Sequence, residues 1–332
     1  MLSEFDLIRR YFTRPTPHTL LGVGDDCALI QTTPETELAV SADMLIAGRH
    51  FHRDADPAKL GHKALAVNLS DMAAMGATPR WATLALALPE ANELWLEPFA
   101  RGFLQLAKRH RVDLIGGDTT RGPLTICVQI MGEVAAGAAL RRDGARPGDE
   151  IWVSGQLGDA ALVLAHLDHT IVLDPHEVAM YAPRLHEPAP RVALGCALVG
   201  VAASCIDVSD GLAADLGHIL ERSQVAAVIE LARVPRSRLV DRKLPAEAAL
   251  RAMLAGGDDY ELCFTVPAER HAEVLQIGKR TGIPLTCIGR IEEGTGLAIL
   301  DANGEPVNLG ITGWDHFGAL ARESGMVPPE QP

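Results

Sequence analysis

"RRDGARPGDEIWVSG", residues 141–155, packs glycine, proline and charge between two apolar segments. Such stretches sit where few contacts cross between compact units. A single core stops growing at about 250–300 residues, and the chain has 332. Two domains are therefore expected, 1–140 and 141–332. Upstream of the divide, "ELAVSAD" (37–43), "TLALALP" (83–89) and "ICVQIMGEV" (126–134) read as strands. "DPAKLGHKALAVNLSDMAAMG" (56–76) reads as a helix, because Leu60, Ala64, Val67 and Met72 recur at helical spacing. A second helix is expected over 92–109. Downstream, "EIWVSG" leads into a helix near 157–167, "CIDVSD" into "GLAADLGHILERS", and "YELCFTV" into a helix near 268–280, with "PLTCIGRIEE" closing. That alternation predicts α/β or α+β layering in both halves.

Composition narrows the function. The net charge is −13, and the aromatic residues are seven Phe, four Trp and three Tyr. A nucleic-acid binder needs a basic stripe or stacking aromatics, and neither is present. No apolar run approaches the ~20 residues that span a bilayer. The densest, "VALGCALVGVAAS" (192–204), reads as a buried helix. "MLSEFDLIRRYF" carries acidic residues early and no small-residue cleavage site, so no signal peptide is expected. The six cysteines, Cys27, Cys127, Cys196, Cys205, Cys263 and Cys287, form no C-x-x-C pair. They read as reduced and buried, which suits the cytoplasm.

The informative residues are aspartates. "DLIGGDTTRGPLTI" (113–126) runs from an apolar stretch through two glycines to Asp118. The same shape recurs: "GVGDDCALI" holds Asp25 and Asp26, "AVSADML" Asp43, and "NLSDMAAMG" Asp71. "IDVSDGLAADLG" holds Asp207, Asp210 and Asp215, and "GGDDYELCF" holds Asp258 and Asp259. Taken singly, each reads as a cap or turn residue, and Asp210 as the N-cap of the helix that follows. Asp71 does not. It lies inside a helical run between Leu69 and Met72, where aspartate has poor propensity and nothing to cap.

If loops bring these carboxylates together, each bare pair at about 4 Å repels by roughly 4 kcal/mol at an effective dielectric near 20. A cation must then lie between them. Hard oxygen donors without His or Cys favour Mg²⁺ or Mn²⁺, and Mg²⁺ commonly shares its shell with substrate phosphates. The chain has no G-x-x-x-x-G-K-[ST] loop, "GKRTG" (278–282) being incomplete, and no Asp-Phe-Gly triplet. A phosphoryl-transfer enzyme built this way works through metals and not through a P-loop.

In order, "EFDLIRRYF", "GVGDDCALI", "HFHRDADP", "KALAVNLSDMAAMGATP", "LIGGDTTRGPL", "IDVSDGLAADLGHI", "GGDDYELCFT" and "GWDHF" cover nearly the whole chain. This series resembles the thiamine-monophosphate kinases, a family grouped with aminoimidazole-ribonucleotide and selenophosphate synthetases. The resemblance implies ATP-dependent phosphorylation of thiamine monophosphate to thiamine diphosphate with several Mg²⁺ ions. It implies a homodimer whose first-half sheets pair into a barrel, and a second α/β half closing over the cleft. Carried over by motif, Asp26, Asp43, Asp71, Asp118, Asp207 and Asp210 hold Mg²⁺ with help from Ser41, and Asp71 and Asp210 are catalytic. Gly117, Asp118, Arg142 and Ser209 meet ATP, while His50, Asp258 and Trp314 meet the thiamine phosphate. Two positions depart from the family pattern. Asp258 replaces a glutamate and is one methylene shorter, and Ala42 replaces a hydroxyl residue, so any metal contact there comes from its carbonyl.

Two other readings stay open. A sibling synthetase acting on selenide needs a reactive cysteine with a nearby lysine, yet Cys27 lies in "DDCALI" with no lysine beside it. A non-catalytic scaffold would bind ATP without turnover, and the full set of aspartate motifs argues against it.

Overall fold

The structure is a computed structural model that describes residues 4–307. A short helix α1 (Glu4–Leu7) runs into a π-helical turn (Ile8–Phe12). Then follow β1 (Thr36–Ile46), α2 (Pro57–Ala74), β2 (Thr78–Leu88), α3 (Glu93–His110), β3 (Asp113–Arg121) and β4 (Thr125–Ala135). The second half comprises β5 (Glu150–Ser154), α4 (Asp159–Leu167), α5 (Pro175–His186), α6 (Val192–Leu198), β6 (Ser204–Asp207), α7 (Leu212–Ser223) and β7 (Ala226–Glu230). It ends with α8 (Arg238–Lys243), α9 (Ala246–Ala255), β8 (Leu262–Val266), α10 (His271–Thr281), β9 (Leu285–Glu292) and β10 (Gly296–Leu300). The fold is mixed α/β with two sheets, ordered β1-β4-β2-β3 and β10-β7-β9-β5-β8-β6.

In the first sheet β4 runs antiparallel to β1 and β2, and β3 runs parallel to β2 through the α3 crossover. Among the described residues, the helices cover one face of this sheet. Leu65 and Leu69 of α2 and Phe99 and Phe103 of α3 pack there with Ile126 and Ile130 of β4. Asp56 caps α2, accepting from Ala58 N–H at 2.9 Å and Lys59 N–H at 3.0 Å, with Pro57 in the first turn. Most of α2 is buried, the polar side chains of Lys63 and Ser70 included.

The far end of α2 meets the second half. Ala73 and Ala74 share one core with Leu194 and Leu198 of α6 and Phe264 of β8. The helices touch through backbone: a methyl on Gly195 would lie 1.9 Å from the carbonyl oxygen of Ala73. This contact fixes α2 against β6 and so locates the residues at both C-terminal ends.

Several expectations need correction. The helix read over 192–204 stops at Leu198, because Gly200 turns the chain at φ 73° and Ser204 starts β6. The strand read over 83–89 begins at Thr78, since the ladder tolerates Pro79 at a register shift. Strands β3, β7 and β10 and helices α5, α8 and α9 were not anticipated. The Gly116–Gly117 pair and a register shift opposite Ala82 and Thr83 hide the alternation of β3. All six cysteines are free, but only Cys205 and Cys263 are buried; Cys127, Cys196 and Cys287 are half-buried, and Cys27 is exposed because its loop lies outside both sheets. Among the described residues no helix is long and apolar enough to cross a membrane.

Candidate active site

Strand alternation places Ser41, Asp43 and Leu45 on the face of β1 that looks toward α2, and Val40, Ala42 and Met44 on the other. The methyl of Ala42 is thus turned away from the carboxylates, leaving only its main chain for any role there. Ser41 Oγ donates to Asp71 Oδ2 at 2.6 Å. One residue earlier on α2, Ser70 Oγ donates to Asp207 Oδ2 at 2.7 Å, at the end of β6. Asp43, Asp71 and Asp207 therefore gather from a strand, a helix and a strand of the other sheet.

Their electrostatics follow from that convergence. Burial, then repulsion from Asp71 and Asp207, pushes Asp43 up to about 7. Burial and repulsion from Asp71 push Asp207 up to about 6, against the pull of the Ser70 hydroxyl and Arg142. Asp71 is raised by burial, with the Ser41 hydroxyl and the Arg142 guanidinium pulling it back. Three carboxylates that resist ionising together form a hard-oxygen set short of positive charge. That chemistry suits a divalent cation.

The sign of the pH effect is fixed by these shifts. In metal-free protein the trio holds protons that the unfolded chain, titrating near 3.8, releases. The resulting stability is complete below that value and is lost as pH rises through about 6 to 7. Asp215, raised by burial to about 7, acts in the same direction. His186, pushed by burial and nearby cations down to about 4, opposes it below its ordinary 6.5. With a chelator present, stability should fall between about pH 6.5 and 7.5, by up to ~1.4 kcal/mol per pH unit for each proton retained, and the melting temperature should fall with it. Asp43→Asn should flatten the slope. A melting temperature that climbs over this window would remove the trio from the explanation.

The other expected residues are placed as follows. Asp26 and Asp118 are exposed and stand outside the trio, Asp118 on β3 opposite Ala85. Among the described residues, no three His, Cys, Asp or Glu side chains are placed so that they could together hold a metal ion. Gly117 has φ 150°, and a methyl there would lie 1.8 Å from the carbonyl oxygen of Leu84. Only glycine lets β3 lie against β2 at this point. Arg142 is exposed, its carbonyl accepts from Ser223 Oγ at 2.8 Å, and its charge acts on both Asp71 and Asp207.

Asp210 does not cap α7. The N-cap is Gly211, and Asp215 folds back so that Oδ2 accepts from the N–H groups of Ser209, Asp210 and Gly211 at 2.9, 3.0 and 3.1 Å. A carboxylate within the first turn thus satisfies donors that lie ahead of it. His50 Nδ1 accepts from Ile46 N–H at 3.0 Å, in the turn after β1. Asp258 is held on both oxygens, by Lys63 Nζ at 2.9 Å and by Tyr260 Oη at 3.0 Å. Trp314 lies outside the described residues. A cavity of about 460 Å³ beside Arg184 and Arg191 lies on the second half and contains none of the trio.

Sequence reasoning passed over Ser70, Lys63 and Tyr260. Lys63 and Ser70 stand seven residues apart, two helical turns, among the mostly apolar buried residues of α2. Buried polar residues on one face of such a helix are the signal that was available.

The sequence model of AIR synthase related protein, N-terminal domain, matches residues 24–134, and that of the C-terminal domain matches 146–301. A thiamine-monophosphate kinase of Escherichia coli (strain K12) is 49% identical over 320 residues, covering 95% of this chain and 98% of that protein. The chain belongs to the thiamine-monophosphate kinase family. A crystal structure of a family member from Stenotrophomonas maltophilia K279a superposes with a TM-score of 0.82 at 47% identity, covering 88% of this chain and 93% of that one. AaThiL complexed with AMPPCP and TMP gives a TM-score of 0.74 at 32% identity, covering 94% and 96%. The family's two-sheet architecture is the one described above.

Proposed function

We propose that this chain transfers the γ-phosphoryl group of ATP to the phosphate of thiamine monophosphate, giving ADP and thiamine diphosphate, as a cytoplasmic enzyme. The observation that carries this reading is the trio of Asp43, Asp71 and Asp207, the first two half-buried and the third buried, deficient in counter-charge beside Arg142. Membership of the kinase family supports it.

The two units are residues 1–140, which supply most of the metal ligands with part of the nucleotide site, and residues 141–332, which close over the cleft and add Arg142, Asp207, Ser209 and Asp210. Several Mg²⁺ ions would be held by Asp26, Asp43, Asp71, Asp118, Asp207 and Asp210, with Ser41 and the carbonyl of Ala42 assisting. When bound, they supply charge neutralisation for phosphoryl oxygens. Phosphoryl transfer needs little covalent work from the protein beyond alignment of acceptor and donor and stabilisation of charge. The acceptor phosphate oxygen attacks the γ-phosphorus in line, and the bond from that phosphorus to the β-bridging oxygen breaks, leaving ADP. Gly117, Asp118 and Ser209 bring backbone and side chain to the nucleotide, and Arg142 offers a planar cation to its phosphates. His50, Asp258 and Trp314 receive the thiamine phosphate.

The proposed assembly is a homodimer. Leu38, Val40, Met44 and Ile46 of the edge strand β1 are 42%, 52%, 53% and 39% exposed on the face opposite α2. A second copy of this sheet, paired as a barrel, would cover them and remove the open edge.

The deciding experiment incubates the protein with Mg-ATP and thiamine monophosphate. ADP and thiamine diphosphate should form in equal amounts. ATP binding without either product would reject the reading in favour of a scaffold. Arg142→Ala separates the substrates: the KM for ATP should rise about tenfold, the loss of one charge-assisted contact, with that for thiamine monophosphate nearly unchanged. Equal rises in both would show that Arg142 is misassigned.

A further inference from the structure

The loop Gly256–Glu261 is held in an uncommon shape. Asp258 and Tyr260 both sit in the left-handed region, at φ 68° and 49°. Such conformations cost of order 1–3 kcal/mol each and persist only where the surroundings over-determine them. Most of the restraint is local to the second half. Asp258 N–H donates to Ser209 O at 2.9 Å, Tyr260 N–H to Val208 O at 2.8 Å, and Asp259 Oδ2 accepts from Gly158 N–H at 2.8 Å. Glu261 is gripped by Arg191 and Ser154.

One restraint comes from the other half. Lys63 of α2 has a side chain only 6% exposed, and its ammonium meets Asp258 Oδ2 at 2.9 Å. The Tyr260 hydroxyl takes the other oxygen, and burial keeps that phenol a neutral donor. A buried ammonium with one carboxylate partner is an expensive arrangement to keep unless the pair serves a purpose. The carboxylate itself remains 30% exposed, so it still presents lone pairs to a ligand. Lys63 lies eight residues from Asp71 on the same rigid helix, about 12 Å at ~1.5 Å per residue. A single helix therefore sets the distance between the acidic trio and Asp258.

We propose that Lys63 is a positioning residue for acceptor recognition: it aims the Asp258 carboxylate, at a distance from the phosphoryl-transfer centre fixed by α2, toward the thiamine end of the acceptor without itself touching that acceptor. The inference rests on the proposed kinase function and adds to it a residue that sets acceptor affinity independently of ATP.

The test is a double-mutant cycle with Lys63→Met and Asp258→Asn, together with Lys63→Arg, read by steady-state kinetics and melting curves. Lys63→Met should raise the KM for thiamine monophosphate about tenfold, with the KM for ATP within about twofold and kcat within about threefold. Lys63→Arg should recover part of the loss. Asp258→Asn should add less than about twofold in the Lys63→Met background, because the two act as one unit. Equal changes in both KM values, or fully additive effects, would overturn the proposal. Should Lys63→Met fail to fold, Lys63→Arg decides, since its longer fork must still shift the KM for thiamine monophosphate alone. A wild-type protein that makes no thiamine diphosphate removes the kinase reading and this inference together. An active wild type with Lys63→Met indistinguishable from it removes this inference only.

Discussion

Asp71→Asn should lower turnover at least about a hundredfold, the scale of losing one electrostatic stabiliser of a transition state. Asp71 accepts from Ser41, shares its surroundings with Asp43 and Asp207, and lies in reach of Arg142. Asparagine keeps the shape and removes the charge. Metal-free protein should melt at the same temperature or higher, because burial and repulsion already work against this carboxylate and its neighbours. The stabilisation that Mg²⁺ adds should shrink, since that increment follows the affinity of the native state for the ion. Melting curves with and without Mg²⁺, run beside a steady-state assay, check both halves of the expectation. A mutant that melts lower without metal yet turns over normally would make Asp71 a structural helix residue. The trio would then have to be reassigned.

Glu261→Ala should be the most destabilising of the substitutions considered. Glu261 is 2% exposed, Arg191 Nε donates to it at 2.6 Å, Arg191 Nη2 makes a second contact, and Ser154 Oγ makes a third. Removing the carboxylate strands a guanidinium whose side chain is 16% exposed. Breaking a buried pair from one side costs about 3–5 kcal/mol. For a chain of this size the melting temperature should drop by roughly 5–15 °C. The damage should reach function as well, because Glu261 closes the loop that carries Asp258 and Tyr260 in their left-handed conformations. Replacing both partners, as Arg191→Met with Glu261→Leu, should recover much of the stability, since no unpaired charge remains. A drop under about 2 °C for Glu261→Ala would mean that solvent reaches Arg191 and that the pair is not a structural anchor.

Much of the site was legible locally because local rules carried it. Helical spacing located α2, and Asp71 stood out there because no cap or turn role was available to it. The strand read over 37–43 ended on Asp43, while Ser41 entered only through the resemblance, and the face they share became visible in the structure. The ordered motifs pointed to the family whose two-sheet fold the structure displays. Asp210 was misread for an equally physical reason. An aspartate ahead of a helix is a good N-cap, but Gly211 at φ 110° and the returning carboxylate of Asp215 satisfy the same donors.

What the amino-acid order determined by itself was periodicity, turn chemistry and the residue types offered to each element. Those depend on neighbours within a few positions, so α2, β1, β4 and the strand-then-helix units were readable. Tertiary structure alone decided which distant residues meet. Lys63 reaches Asp258 across 195 positions and Ser70 reaches Asp207 across 137. No local pattern encodes such pairs, because they follow from Gly195 letting α6 lie against Ala73 and from the core that α2, α6 and β8 share around that contact. The raised proton affinities of Asp43 and Asp207 arise at the same step, since burial and mutual repulsion do not exist until the chain has brought the carboxylates together.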